Sequence, residues 1–244
     1  MTPSPTLSLG RALFRFRSVT PLPVLALLAW LLLGSRAVPG PGGVILDGLL
    51  DWAGLLLCLT GEAVRLYVTG WVPDGTSGQN DRLEAVSLNT RGPYAWVRNP
   101  LYLGNLLLVL GLLCIAHDGW VYAVSLGFFF WQYFFIIRGE EDFLRTRFAF
   151  AFDDYCAKVP RWIPRMTPAF LGPLRPGDFD WRRALKKEHN PAAAWISAAV
   201  ALLAWESVAR HGLEPLVLTT LGLIELLTLC AFVGIKRWKH GWRA

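Results

Sequence analysis

Residues 91–105 read RGPYAWVRNPLYLGN and lead directly into LLLVLGLLCIA, the apolar run of residues 106–116. A proline lacks an N–H group and has a φ angle that suits the first turn of a helix. The stretch therefore predicts a helix that begins at Pro100, with Asn99 as its cap. Because the run that follows is long and apolar, this helix is predicted to enter a membrane.

The start of this helix carries more polar chemistry than a helix needs. The N–H groups of its first turn are free, and Arg98 adds a full positive charge beside them, which together favour binding of a carboxylate or phosphate. Tyr102 and Asn105 fall near the same end. An interfacial anchor, with Tyr and Arg at the level of the lipid headgroups, explains these residues equally well.

The composition of the chain indicates a polytopic all-α membrane protein. Of its 244 residues, 54% are hydrophobic and only 17% are charged, whereas a soluble domain carries roughly a quarter charged residues. Six apolar runs are predicted to span the membrane, near 19–37, 48–70, 100–116, 119–137, 192–210 and 214–235. The four cysteines and four histidines are dispersed, so no metal site is expected.

The distribution of Lys and Arg predicts that both termini lie in the cytoplasm, because most of these residues fall on one side of the six spans. The first span is interpreted as a retained signal anchor, with a cleaved signal peptide as the alternative. The net charge of +6 is assigned to the cytoplasmic segments, and no nucleic-acid partner is expected. The predicted organisation is a basic N-terminus (1–18), a membrane core (19–165), a basic cytoplasmic linker (166–190), a transmembrane hairpin (191–235) and a basic tail (236–244).

A second unusual stretch ends the fourth span. Residues 128–165 read FFFWQYFFIIRGEEDFLRTRFAFAFDDYCAKVPRWIPR, in which Arg138, Glu140 and Glu141 follow an aromatic-rich segment. Spans three and four form a tight hairpin joined near residues 117–119, so their cytoplasmic ends must be neighbours. A pocket with an anion-binding helix start beside two carboxylates suits S-adenosylmethionine, which has a carboxylate, a sulfonium and a diol.

The two stretches together resemble a known family. GPYAWVRNPLYLG is similar to the G-P-Y-x-x-V-R-H-P-x-Y-x-G signature of the isoprenylcysteine carboxyl methyltransferase and phospholipid N-methyltransferase superfamily. The second stretch resembles its E-E-x-x-L-x-x-x-F-G-x-x-Y-x-x-Y-x-x-x-V-P pattern. The residues in register there are Glu140, Glu141, Leu144, Phe148, Tyr155, Val159 and Pro160. The resemblance covers roughly residues 50–165.

This resemblance implies an integral-membrane methyltransferase that uses S-adenosylmethionine as its cofactor. Glu140 and Glu141 would hold the ribose and the amino end, and Arg138 would face the acceptor group. The residues that would bind the cofactor are Tyr94, Arg98, Asn99, Tyr102, Gly104, Glu140 and Glu141.

The sequence departs from the family pattern at three positions. Asn99 replaces the usual histidine, Ala149 a glycine and Phe152 the first tyrosine. Asn99 can still donate a hydrogen bond but cannot titrate, so acid–base chemistry at this position is excluded while cofactor binding is retained.

Charged residues inside predicted spans are functional candidates, because burying a charge in lipid is costly. Glu62 and Arg65 are three residues apart on one helix face and are expected either to pair with each other or to let Arg65 contact the acceptor beside Arg138. Glu206 is expected to pair with Arg210. Glu225 has no local partner, which predicts a hydrogen bond to a neighbouring helix.

The predicted function is methyl transfer from S-adenosylmethionine to the carboxylate, phosphate or amine of a membrane lipid or a prenylated acceptor. A catalytically inactive lipid-binding scaffold is the first alternative, favoured by Asn99. A small-molecule transporter with an intramembrane relay is the second. The hairpin of residues 191–235 lies outside the resemblance and is expected to be peripheral, a dimer surface or a wall facing lipid.

Overall fold

The computed structural model describes residues 5–17, 19–21, 25–26, 29, 43–72, 85–165 and 179–241. No strand lies among these residues, which confirms the all-helical fold class for this part of the chain. The helices are α1 (Pro5–Arg15), α2 (Gly43–Trp71), α3 (Pro100–Ala116), α4 (Gly119–Phe148), α5 (Phe150–Lys158), α6 (Trp181–His211) and α7 (Pro215–Gly241). A short 3₁₀ helix, Gly92–Ala95, precedes α3.

Three of the helices are long and apolar enough to cross a membrane, namely Gly119–Phe148, Trp181–His211 and residues Pro215–Lys239 of α7. Helix α3 is apolar but shorter. Helix α2 has 29 residues, and its charged residues are Asp47, Asp51, Glu62 and Arg65. Most of the predicted first span lies outside the described residues. The full set of six spans and its orientation stay predictions.

Helices α2 and α3 approach each other closely along two pairs of glycines. Gly54 and Gly61 lie seven residues apart on α2, as do Gly104 and Gly111 on α3. A Cβ atom on Gly111 would lie 2.5 Å from the Cys58 sulfur, and one on Gly61 would lie 2.8 Å from the Gly104 carbonyl oxygen. Small residues at such an interface let the backbones meet. Any larger side chain there would force the two helices apart.

Helix α1 packs against α4 near residues 135–139. A Cβ atom on Gly10 would lie 2.3 Å from the Phe135 carbonyl oxygen. Leu13 and Phe14 are buried beside Tyr102 of α3 and beside Ile136 and Ile137 of α4. The N-terminal segment is therefore part of the wall around the start of α3.

The two helices of the C-terminal hairpin differ, because α6 packs into the core and α7 lies at its edge. Trp195 and Ala199 of α6 are buried against Cys58 of α2 and Leu108 of α3, whereas α7 exposes most of its apolar side chains. Helix α6 begins at Trp181, eleven residues before the predicted span at 192, so residues 181–190 of the predicted linker are helical, and their place in the cytoplasm stays a prediction.

The predicted partners of two acidic residues are confirmed. Glu206 binds Arg210 at 2.8 Å, and Glu225 accepts a hydrogen bond from Ser197 of the neighbouring helix at 2.8 Å.

Helix α4 continues to Phe148, well past the predicted end of the span at 137, and Ala149 then breaks it from α5. Ala149 has φ 44° and ψ −120°, a conformation that glycine adopts freely and that an L side chain rarely does. Backbone geometry at this break thus accounts for the glycine in the family pattern.

We expect Ala149→Gly to stabilise the protein by about 1 kcal/mol, because it relieves strain at a positive φ. Thermal unfolding in detergent would then show a midpoint raised by a few degrees. Ala151→Gly is the matched control, since Ala151 is exposed within α5 and glycine inside a helix costs about 0.5–1 kcal/mol. A lower midpoint for Ala149→Gly would contradict the strain argument.

Candidate active site

The residues at the start of α3 contact the last third of α4, as the tight hairpin predicts. Arg98 donates from Nη1 to Oε1 of Glu141 at 2.9 Å. The turn between the helices is formed by His117, which has φ 51° and ψ 22°, and by Asp118, whose carboxylate accepts from the Val121 N–H at 2.9 Å. Two residues from the two sequence motifs are thereby placed in direct contact.

Glu141 binds a second arginine that sequence reasoning missed. Arg161 donates from Nε to Oε1 of Glu141 at 3.0 Å and from Nη2 to Oε2. Glu141 is 8% exposed. Charge-assisted bonds of this two-point kind are strong and geometrically specific. Two arginines around one carboxylate leave this cluster with a net positive charge.

The segment after the Val159–Pro160 motif is held along the start of α3. Pro160 accepts from the Arg98 N–H at 2.8 Å, and Trp96 accepts from the Arg165 N–H at 3.0 Å. Asn99 donates from its side-chain amide to the Arg161 carbonyl oxygen at 3.1 Å. Asn99 occupies the N-cap position of α3, as predicted, but its side chain makes no capping hydrogen bond, because the amide binds the Arg161 carbonyl oxygen instead.

Tyr94 and Tyr155 are joined by a hydrogen bond at this end of the bundle, and both phenols are neutral. Tyr155 donates from its hydroxyl to the Tyr94 carbonyl oxygen at 2.8 Å. Burial raises the pKa of both phenols well above the usual value, because the charged phenolate is disfavoured away from water. The Tyr94 carbonyl oxygen is thus bound by Tyr155, and a role of Tyr94 in binding the cofactor stays a prediction.

Glu140 begins a polar chain that runs into the bundle. Its Oε2 accepts from the Tyr102 hydroxyl at 2.8 Å. The Tyr102 ring lies 4.6 Å from that of Tyr133, whose hydroxyl accepts from the Asn105 amide at 2.7 Å. Asn105 in turn accepts from Nη1 of Arg65. Every predicted cofactor residue except Gly104 makes one of the polar contacts described so far.

The series of polar contacts that begins at Glu140 ends on Glu188 of α6. Arg65 donates from Nε and Nη2 to Oε2 of Glu188, at 2.8 and 2.7 Å, and Glu188 is almost fully buried. The expected pairing of Arg65 with Glu62 is wrong. Glu62 instead accepts from the Trp195 indole at 3.2 Å. Nothing in the sequence marked Glu188, because its partner lies more than a hundred residues away.

The remaining predicted residues take different positions. Gly104 lies under Arg65, since a Cβ atom there would be 2.6 Å from the Arg65 Cγ. Arg138 is exposed, and its guanidinium lies over the Phe134 ring at 5.0 Å. Arg65 is buried. Arg138 and Arg65 thus lie in different surroundings, one exposed and one buried.

Comparisons with known proteins decide the family. The cobalt-zinc-cadmium resistance protein CzcN of Cupriavidus metallidurans is 32% identical over 174 residues, 68% of this chain and 74% of that protein. The sequence profile described as phospholipid methyltransferase matches residues 50–150. The protein-S-isoprenylcysteine O-methyltransferase of Rattus norvegicus is 32% identical over 129 residues.

The chain belongs to the superfamily of isoprenylcysteine and phospholipid methyltransferases of membranes. The alignment with the rat enzyme covers 50% of this chain and 44% of that enzyme. The nickel-cobalt-cadmium resistance protein NccN of Alcaligenes xylosoxydans xylosoxydans is 32% identical over 84 residues, 34% of this chain and 39% of that protein. No solved structure matches the chain.

We expect Glu141→Gln to destabilise the protein by about 1.5–3 kcal/mol, because two arginines lose their charged acceptor. Unfolding midpoints of the purified protein in detergent measure this. Asp142→Asn is the matched control: its ion pair with Arg11, at 3.3 Å, is exposed and should contribute about 0–1 kcal/mol. Equal effects of the two substitutions would contradict the central role given to Glu141.

Proposed function

We propose that the protein transfers a methyl group from S-adenosylmethionine to the polar group of a lipid-like acceptor in the membrane. The observation that carries this proposal is the convergence of Arg98, Glu141 and Arg161 beside the Tyr102–Glu140 pair, within a family of methyltransferases. The donor supplies a methyl group activated by a sulfonium. The residues of the protein have to bind the donor and the acceptor, orient them for the transfer, and exclude water.

The residues present suit this cofactor. The Nε atom of Arg98 is buried and has no hydrogen-bond partner among the described residues, so it offers a donor for a carboxylate near the start of α3. Glu140 directly precedes Glu141 on α4 and is bound by a single neutral donor, Tyr102, among the hydrogen bonds of the described residues. We assign Glu140 to the ribose diol and Arg98 to the amino-acid end of the cofactor.

The acceptor is assigned to the exposed face of α4. Phe130, Trp131 and Phe134 are large exposed aromatic residues there, and Arg138 lies at the cytoplasmic end of this row. An acyl or prenyl chain can lie on such a face while the guanidinium binds a carboxylate or phosphate headgroup. Arg65 is already bound by Glu188 and Asn105, so we assign it to positioning the site rather than to binding the acceptor.

A lipid-binding scaffold without activity is the second candidate, because Asn99 stands where the family has histidine. Binding of the cofactor separates the two candidates. An amide in place of an imidazole removes a titrating group. This loss affects methylation of an amine, which must first lose a proton. Methylation of a carboxylate or phosphate needs no such group.

We expect S-adenosylmethionine to bind the purified protein in lipid nanodiscs, and Glu140→Gln to weaken this binding by roughly tenfold or more, because a hydrogen bond to a charged group is lost. Isothermal titration calorimetry measures both. Asp142→Asn, outside the site, should bind the cofactor normally. An unmodified protein that binds neither S-adenosylmethionine nor its demethylated product would favour the scaffold.

We expect Arg138→Ala to reduce the rate of lipid methylation more than the affinity for S-adenosylmethionine, because Arg138 is assigned to the acceptor. Mass spectrometry of methylated lipids, combined with cofactor titration, measures the two effects. Arg147→Ala is the matched control, since Arg147 is also exposed on α4 and lies over an aromatic ring, Phe148. Equal losses of rate and affinity would place Arg138 on the cofactor side.

A further inference from the structure

A second polar cluster lies at the other end of the bundle from Arg98. Asp47 and Asp51 belong to the first turns of α2, His117 joins α3 to α4, and Glu206 lies near the end of α6. Helix α3 separates the two clusters by its length of 17 residues, about 26 Å. Methyl transfer as proposed above does not use these residues.

Three of them direct ligand atoms toward one another. Nε2 of His117 lies 2.8 Å from Oδ1 of Asp51 and 3.7 Å from Oε1 of Glu206. The three atoms all lie within 4.8 Å of one another. Imidazole nitrogen and carboxylate oxygen bind zinc at 2.0–2.2 Å, so the ligand atoms are close enough to share one ion after small side-chain rotations.

The other ring nitrogen of His117, Nδ1, lacks a hydrogen-bond partner among the described residues. The side chain is only 7% exposed, and Nδ1 is buried. It faces Oδ1 of Asp47 at 3.8 Å. If a neutral His117 donates from Nε2 to Asp51, the lone pair of Nδ1 points at a carboxylate, which is repulsive.

A cation on Nε2 removes this conflict. The ring proton then resides on Nδ1 and points at Asp47, which is the carboxylate–histidine–metal arrangement that orients metal-binding histidines. Asp47 is itself held by Arg210 at 2.7 Å. Asp47 and Arg210 thus form the outer layer of such a site.

Charge favours a divalent ion. Asp51 and Glu206 contribute two negative charges beside a neutral His117, and Arg210, which binds Asp47, shares its charge with Glu206 at 2.8 Å. Buried charges are costly unless they are matched. One divalent ion matches the two carboxylates, whereas protonation of His117 supplies only one positive charge.

We propose that Asp51, His117 and Glu206 bind one divalent transition-metal ion of the zinc or cobalt type. Imidazole with carboxylates suits these ions, and three protein ligands leave a fourth position for water or a further ligand. The ion would join α2, the α3–α4 turn and α6. The sequence predicted no metal site because these three residues lie 66 to 155 positions apart, and only the tertiary structure brings them together.

The test uses the full chain in nanodiscs, with any affinity tag removed and metal stripped by a chelator. Zn²⁺ is titrated by calorimetry and Co²⁺ by visible absorption. We expect one ion per chain, loss of that binding in His117→Ala, and weakening by at least roughly tenfold in Asp51→Asn and Glu206→Gln. His211→Ala, an exposed histidine next to Arg210, should bind normally.

Two further measurements guard against a misfolded variant. Zn²⁺ should raise the unfolding midpoint of the unmodified protein and of His211→Ala, and X-ray absorption of the bound ion should show a nitrogen ligand at about 2.0–2.1 Å. Absence of stoichiometric Zn²⁺ and Co²⁺ binding to the unmodified protein, or an ion bound by oxygen alone, would overturn the proposal and leave a protonated His117 within an ion-pair cluster. None of these readouts requires methyltransferase activity.

Discussion

The close contact between α2 and α3 is the constraint on which both polar clusters depend. Gly54 and Gly61 of α2 meet Gly111 and Gly104 of α3 at distances that leave no room for a Cβ atom. At one end this contact sets Arg65 beside Asn105, and at the other it sets Asp51 beside His117. Without a water-driven hydrophobic force between helices in lipid, such close packing is a main source of association.

Buried charge is the second organising feature. Glu141 is held by two arginines, Glu188 by Arg65, and Asp47 by Arg210. Each of these pairs joins different segments of the chain, so the pairs specify which helices are neighbours as well as compensating charge. Removing one member would leave an uncompensated buried ion, which is strongly destabilising. The proposed methyl-donor site is built on the cluster of Glu141, in which two arginines bind one carboxylate and leave a positive charge.

The parts of the site that could be predicted are local or are joined by a short turn. Pro100 begins α3, and the two-residue connection of His117 and Asp118 folds α4 back along α3, so that Arg98 meets Glu141. The parts that could not be predicted depend on distant segments. Glu188 and Arg161 were missed, since a lone acidic residue in a basic stretch and an arginine in a loop each look like solvated surface. The break at Ala149 was recognised as a departure from the family pattern, but its cause needed a backbone angle.

The sequence by itself determined that the chain is helical, that it is suited to a membrane, and that two motifs meet at one end of a hairpin, because hydrophobic runs and tight turns act over short range. The tertiary structure alone decided the partner of Arg65, the inclusion of α6 in the core and the gathering of Asp51, His117 and Glu206. These follow from side-chain contacts between helices far apart in the chain. Such contacts depend on the shape and charge of the folded protein and produce no periodic pattern in the sequence.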